Sequence, residues 1–162
     1  LLNARRVLRE EFGRLDNLLV RLARDDALSR RLMTVPGVGP VDALTFRATV
    51  DVSARFTRSR DVGAHFGLTP RKYQSGEVDR TGRISKWGDA MMRGALYGAA
   101  QVLLTRVKRW SALKAWAAHV SRRRGHKKAI VALARRIGVV LHRMWVDGTE
   151  FDWGTPPAAA TA

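Results

Sequence analysis

Leu8, Phe12, Leu15, Leu19 and Leu22 recur at spacings of four and three, the seam pattern of a coiled coil. Arg9, Glu10, Arg14 and Arg21 fall on the other faces. The pattern predicts a helix over residues 1–24, about 36 Å long at ~1.5 Å per residue. Such a seam suits either the rest of the fold or a partner helix. Asp25 and Asp26 then offer N-caps for a short helix over Ala27–Met33.

Residues 32–46, LMTVPGVGPVDALTF, set Pro36-Gly37-Val38-Gly39 between two helical patterns. The arrangement resembles a helix-hairpin-helix module with Gly37 and Gly39 in the hairpin. Glycines let the backbone approach closely and take positive φ. Amides at the start of the next helix then face an anion, and Pro40 suits a first helical turn. A structural turn is the competing reading. A further short helix is expected over Ser59–Phe66, with Val62, His65 and Phe66 on its apolar side and His65 as a packing residue.

Residues 68–88 are rich in turn formers, with strand character at Arg71–Tyr73 and Arg83–Ser85, which predicts a small β-hairpin or ordered loop. Helical periodicity returns over 87–106, where Met92, Leu96, Ala99 and Leu103 form a core stripe. Gly94 and Gly98 would leave a smooth groove for another element. Helices are expected at about 110–122 and 126–146. In the last, Ile130, Leu133, Ile137, Leu141 and Met144 face the core. Lys128, Arg135 and His142 sit seven apart, which lines them up on another face. Residues after Trp153 lack periodicity and read as a flexible tail.

Charge changes the picture. Thirty Lys and Arg against fourteen Asp and Glu leave a net charge of +16. That excess points to a polyanion, nucleic acid first, with an anionic membrane surface as the competitor. No Asp or Glu occurs between Ala90 and Val146. Positive charge there lacks internal partners, so nucleic-acid contact is expected. Arg122-Arg123-Arg124 before Gly125 reads as a loop reaching for phosphates. The absence of cysteine excludes disulfides and Cys-based zinc sites. No apolar run approaches the roughly 20 residues that span a bilayer. The chain opens on Leu1 within a helical pattern, and a fragment of a longer protein is expected.

Candidate chemistry is sparse. Glu77, Asp79, Asp89 and Asp147 form no inward-facing cluster able to hold two metals. Asp79 and Asp89 suit turn or capping roles. No histidine has the spacing of a metal ligand or the signature of a triad base. A serine attacking a DNA phosphodiester would need exposure, close access and nearby cations. Ser75 precedes Gly76, and Arg71, Lys72, Arg80, Arg83 and Lys86 lie within a short span. These features alone favour a structural or phosphate-binding serine.

The blocks PGVGP, FGLTPRKYQSG and GRISKWGDAMMRGALYGAA, in that order and spacing, resemble the C-terminal half of transposases of the IS-one-ten / IS-one-sixteen / IS-nine-oh-two insertion-sequence family. The similarity runs from about Leu32 to Trp145, and the heptad helix resembles the family's coiled-coil connector. The resemblance implies a mainly α fold with a helix-hairpin-helix element, a small β or irregular segment and a long leading helix. It divides the chain into a connector (1–31), a serine domain (32–154) and a tail (155–162). It makes Ser75, in Tyr73-Gln74-Ser75-Gly76, the nucleophile. Gly37, Gly39, Arg71, Lys72, Arg83, Lys86, Arg93, Arg122, Arg123, Arg124, Lys128 and Arg135 are the expected nucleic-acid contacts, with Arg93 alternatively anchoring the Ser75 loop.

The resemblance also implies an upstream RuvC-like domain whose acids hold Mg²⁺, with no cofactor in the present chain. It further implies DNA and an element-encoded guide RNA as partners, a homo-oligomer through the N-terminal helix, and a prokaryotic cytoplasmic location at the nucleoid. This portion by itself would be catalytically crippled. A non-catalytic basic DNA- or RNA-binding module is the rival reading, and a coiled-coil assembly module a third.

Overall fold

The computed structural model describes residues 1–75 and 78–155, with only the backbone course at 78 and 79. Gly76, Glu77, the Asp79 side chain and tail residues 156–162 lie outside the described residues. Seven α-helices and one two-stranded antiparallel sheet make up the regular structure among these. They are α1 (Leu2–Asp25), α2 (Ala27–Leu32), α3 (Pro40–Val50), α4 (Val62–His65), β1 (Pro70–Ser75), β2 (Val78–Ile84), α5 (Ala90–Thr105), α6 (Ala112–Arg124) and α7 (His126–Asp147). Short 3-10 turns at Ser53–Arg55 and Ser59–Asp61 lead into α4. The mainly helical expectation holds; the expected strand segment Arg71–Tyr73 lies in β1, and Arg83–Ser85 runs one residue past β2.

The core forms where the apolar stripes meet. Met92, Leu96, Ala99 and Leu103 of α5 are buried, as are Ile130, Leu133, Ile137, Leu141 and Met144 of α7. Helix α7 is the central element and packs against α5, α6 and α4. Gly138 lets the Phe66 ring and Leu96 lie close against α7. Phe46 of α3 meets Phe66 edge-on at 5.7 Å between ring centres. The segment around Phe151 and Trp153 folds back over this core. The Phe151 N–H donates to Thr34 Oγ1 at 3.0 Å, and the Ala112 N–H donates to the Trp153 carbonyl at 3.1 Å.

Helix α1 behaves differently. Ala23 near its end is buried, and α1 meets α2 and α3. The seam residues Leu8, Phe12, Leu15, Leu19 and Leu22 all remain exposed, Phe12 by 73%. Asp26 ends α1 and caps α2: its Oδ2 accepts from the Ser29 N–H at 2.8 Å and from Ser29 Oγ at 2.6 Å. Arg47 of α3 reaches Asp26 Oδ1 at 2.7 Å, which ties the break to the core.

Two expectations are corrected. Arg122, Arg123 and Arg124 are not a loop but the last turn of α6. The apolar stripe of Leu113 and Ala117 carries the helix on, and cations suit its negative end. The helix stops at Gly125, with φ +85°. His142 does not share the exposed face of Lys128, being buried under the 53–61 segment. A seven-residue spacing drifts by about 20° per repeat on a straight helix, enough to turn the later member inward. Its Nε2 donates to the Ser53 carbonyl at 3.0 Å, and its Nδ1 shares a hydrogen bond with Ser59 Oγ at 3.0 Å. No described residue lies against Gly94 or Gly98, which leaves this face of α5 open. His65 packs as expected, with its ring 5.2 Å from that of Phe56.

Candidate nucleic-acid interface

Ser75 is the last residue of β1, pairs with Val78 and is exposed. Directly opposed residues of an antiparallel pair share a face, and faces alternate along a strand. Tyr73 pairs with Arg80 and Lys72 with Thr81. Ser75 therefore shares its face with Tyr73 and Arg80, while Lys72 points to the other side. Arg80 is diagonal to Ser75, about 7–8 Å between Cα atoms, within reach of a long side chain. Arg80 is among the five cations that the sequence places near Ser75, but it is not among the expected nucleic-acid contacts. Strand alternation alone could not choose it from those five, because the pairing register decides the face.

The root of the hairpin is interlocked with the chain on either side of it. The register slips between Pro70 and Lys72, so Arg71 faces a bulge in β2. Arg71 Nη2 donates to the Ser85 carbonyl at 3.0 Å. The Lys86 N–H donates to the Gly67 carbonyl at 3.0 Å and the Ser85 N–H to that of Thr69 at 2.9 Å. Lys86 itself has φ +57°, a left-handed conformation that is uncommon for a lysine. Arg93 does not reach the Ser75 end of the hairpin: its Nη1 lies 3.3 Å from the Phe66 carbonyl and 3.5 Å from that of Gly88. It braces the root. Beside it, Trp87 leaves 75% of its surface exposed, an aromatic residue that the sequence reading passed over. Its neighbours Lys86 and Gly88 were the signal, as a large ring between a cation and a turn residue has little core to enter.

Arg83 and Lys86 of the hairpin segment and Lys128 of α7 line one cavity of about 650 Å³. Lys128 and Arg135 line an adjoining one of about 460 Å³. The fold thus brings together four cations that are far apart in sequence. Ser75 and the Arg122–Arg124 turn do not line either cavity. Arg135 also lies across Gly63 of α4, where a Cβ would meet its Cγ at 2.8 Å.

The turn between α2 and α3 presents Gly37 and Gly39 differently. Gly37, at φ +95°, presses on α5, where a Cβ would come within 2.4 Å of the Ala99 carbonyl oxygen. The Gly39 N–H donates to Asp42 Oδ2 at 2.8 Å. A phosphate at Gly39 would have to displace that carboxylate. Burial raises the Asp42 carboxyl above its ordinary range, although the Gly39 N–H favours the ionised form.

Among the described residues no group of three or more His, Asp or Glu side chains could hold a metal ion. Among them, too, no helix is long and apolar enough to cross a membrane.

Residues 29–117 match the family described as Transposase IS116/IS110/IS902 family. The chain is 36% identical over 128 residues to the transposase for insertion sequence element IS1111A of Coxiella burnetii, covering 78% of this chain and 35% of that protein. It is 30% identical over 143 residues to the transposase for insertion sequence element IS1328 of Yersinia enterocolitica, covering 88% of this chain and 43% of that protein. The chain therefore spans less than half the length of these curated relatives. With more than half of its residues matched by the family, the chain belongs to the IS116/IS110/IS902 transposase family.

Proposed function

We propose that residues 32–154 form the serine-bearing domain of a DNA transposase, with Ser75 as its nucleophile. The observation that carries this is the placement of Ser75: exposed, at the far end of a hairpin arm, with Arg80 on the same face. Ser75 Oγ would attack a DNA phosphorus, forming an O–P ester as the bond to the leaving strand's hydroxyl breaks. The ester keeps the bond energy, so reversing the step rejoins a strand without external energy. Arg80 and the hairpin cations would stabilise the charge that gathers on the phosphoryl oxygens. This reading puts the proton acceptor for Ser75 Oγ in the upstream RuvC-like domain, with the Mg²⁺ acids. The chain alone would then bind nucleic acid, DNA and a guide RNA, without cleaving it.

The exposed seam of α1 supports the further reading that this helix joins a second copy of the chain. The apolar side chains that make the seam stay exposed in one copy, and water is a poor neighbour for them.

The experiment is Ser75→Ala in the protein with its upstream portion present. Strand exchange and the phosphoserine adduct should fall below detection while circular dichroism is unchanged. An undiminished adduct would overturn the assignment and leave a non-catalytic binding module.

A further inference from the structure

The hairpin root does not stand clear of the helices. The two cavities between it and α7 share Pro70, Ile84, Lys128 and Val131, and so form one groove. Its floor is apolar, built from Leu68, Ile84, Trp116, Val131 and Val139. Its charged lining is cationic throughout: Arg83, Lys86 and Lys127 at one end, Arg135 and Arg136 at the other. Among the described residues no Asp or Glu lines it. The Arg136 guanidinium lies 4.4 Å from the centre of the Trp116 ring, a cation–π contact that holds the indole in place.

Duplex nucleic acid presents phosphates outward and hides its base planes in the stack. A convex cationic surface is enough to bind it, and an apolar floor adds nothing. An unpaired nucleotide presents both a phosphate and a bare base plane. We infer that this groove holds an unpaired nucleotide of a single strand, its base on the Trp116–Val131 floor and its phosphates on Lys86, Lys127 and Lys128. The inference rests on the reading that the chain handles nucleic acid. It adds a site that is separate from Ser75 and selects the form of the strand.

The test is fluorescence anisotropy on the intact chain with three labelled probes at one salt concentration: an oligodeoxythymidine, an oligouridine and a DNA duplex of equal length. The variants are Trp116→Leu, Trp116→Phe and Val131→Glu. Trp116→Leu should weaken single-strand binding about tenfold, with Trp116→Phe close to the parent and the duplex unchanged. Val131→Glu should weaken single strands at least as much, and it keeps the test valid if Trp116→Leu does not fold. An oligouridine carrying photoreactive 5-iodouracil should crosslink to peptides containing Trp116 or Val131. Preference between oligodeoxythymidine and oligouridine assigns the strand to DNA or RNA. Parallel losses for single strands and duplex, no loss, or crosslinks mapping elsewhere would overturn the inference. These affinities do not read the phosphoserine adduct, so failure of the nucleophile assignment registers only in the Ser75→Ala adduct assay.

Discussion

The backbone of Trp87 lies directly on Gly67. A Cβ at Gly67 would come within 2.1 Å of the Trp87 carbonyl oxygen and 2.6 Å of its amide nitrogen. Gly88 locks the same junction from the other side, with a Cβ position 2.0 Å from the His65 carbonyl oxygen. Both glycines have positive φ, +67° and +102°. The hairpin that carries Ser75 is thus aimed by backbone contacts at its root. Gly67→Ala should cost about 2 kcal/mol or more, from left-handed strain plus a backbone collision that no rotamer relieves. Urea unfolding measures the loss. If the chain acts in strand exchange as proposed, that activity should fall further than stability alone explains, because the arm is re-aimed.

Gly94 and Gly98 give the opposite sign. Nothing lies within 4 Å of a Cβ at either position, and both sit inside α5. Alanine at each should stabilise the isolated chain by about 0.5–1 kcal/mol. If an element of the longer protein packs on this face, the same substitutions will weaken that assembly while still raising the chain's melting temperature.

Asp26 and Asp42 should move stability in opposite directions with pH. Burial raises the Asp26 carboxyl, but the Ser29 hydrogen bonds and the Arg47 cation outweigh it and hold it below the ordinary 3.8. Its contribution is present above that pH and lost as pH falls through its folded-state value. Asp42 is held above 3.8, chiefly by burial. Its contribution is present below that pH and lost as pH rises through its folded-state value. Asp26→Ala should therefore cost about 1 kcal/mol at neutral pH and less in acid. Asp42→Asn should stabilise slightly at neutral pH and change little in acid. Urea melts at both pH values check the pair.

Asp42→Asn also tests the α2–α3 turn. It removes the anion bonded to the Gly39 N–H. If this turn takes a phosphate, DNA affinity should rise in a filter-binding titration. Unchanged affinity would make the turn structural, with Gly37 kept for its close approach to Ala99.

Lys86→Ala should weaken DNA binding and reduce the slope of log affinity against log salt by about one unit, as loss of one phosphate contact does. Lys86→Gly should do the same while stabilising the chain, since glycine takes φ +57° without strain. An unchanged slope in both would remove Lys86 from the interface.

The helices and their buried faces were legible in the sequence because a packed helix leaves a periodic record. Met92, Leu96, Ala99 and Leu103, and Ile130 to Met144, are buried where their spacing put them. The strand character on either side of Ser75 was legible too, and so was the excess of positive charge. Period-based reasoning could not say which cation stands beside Ser75. That depends on register: pairing Ser75 with Val78 puts Arg80 on its face and turns Lys72 away. His142 was misread because its partners, Ser59 and Ser53, lie 83 and 89 residues away in sequence. Local spacing places a side chain on a face of its own helix. Only the packing of distant segments decides whether that face meets solvent, a hydrogen bond or a groove.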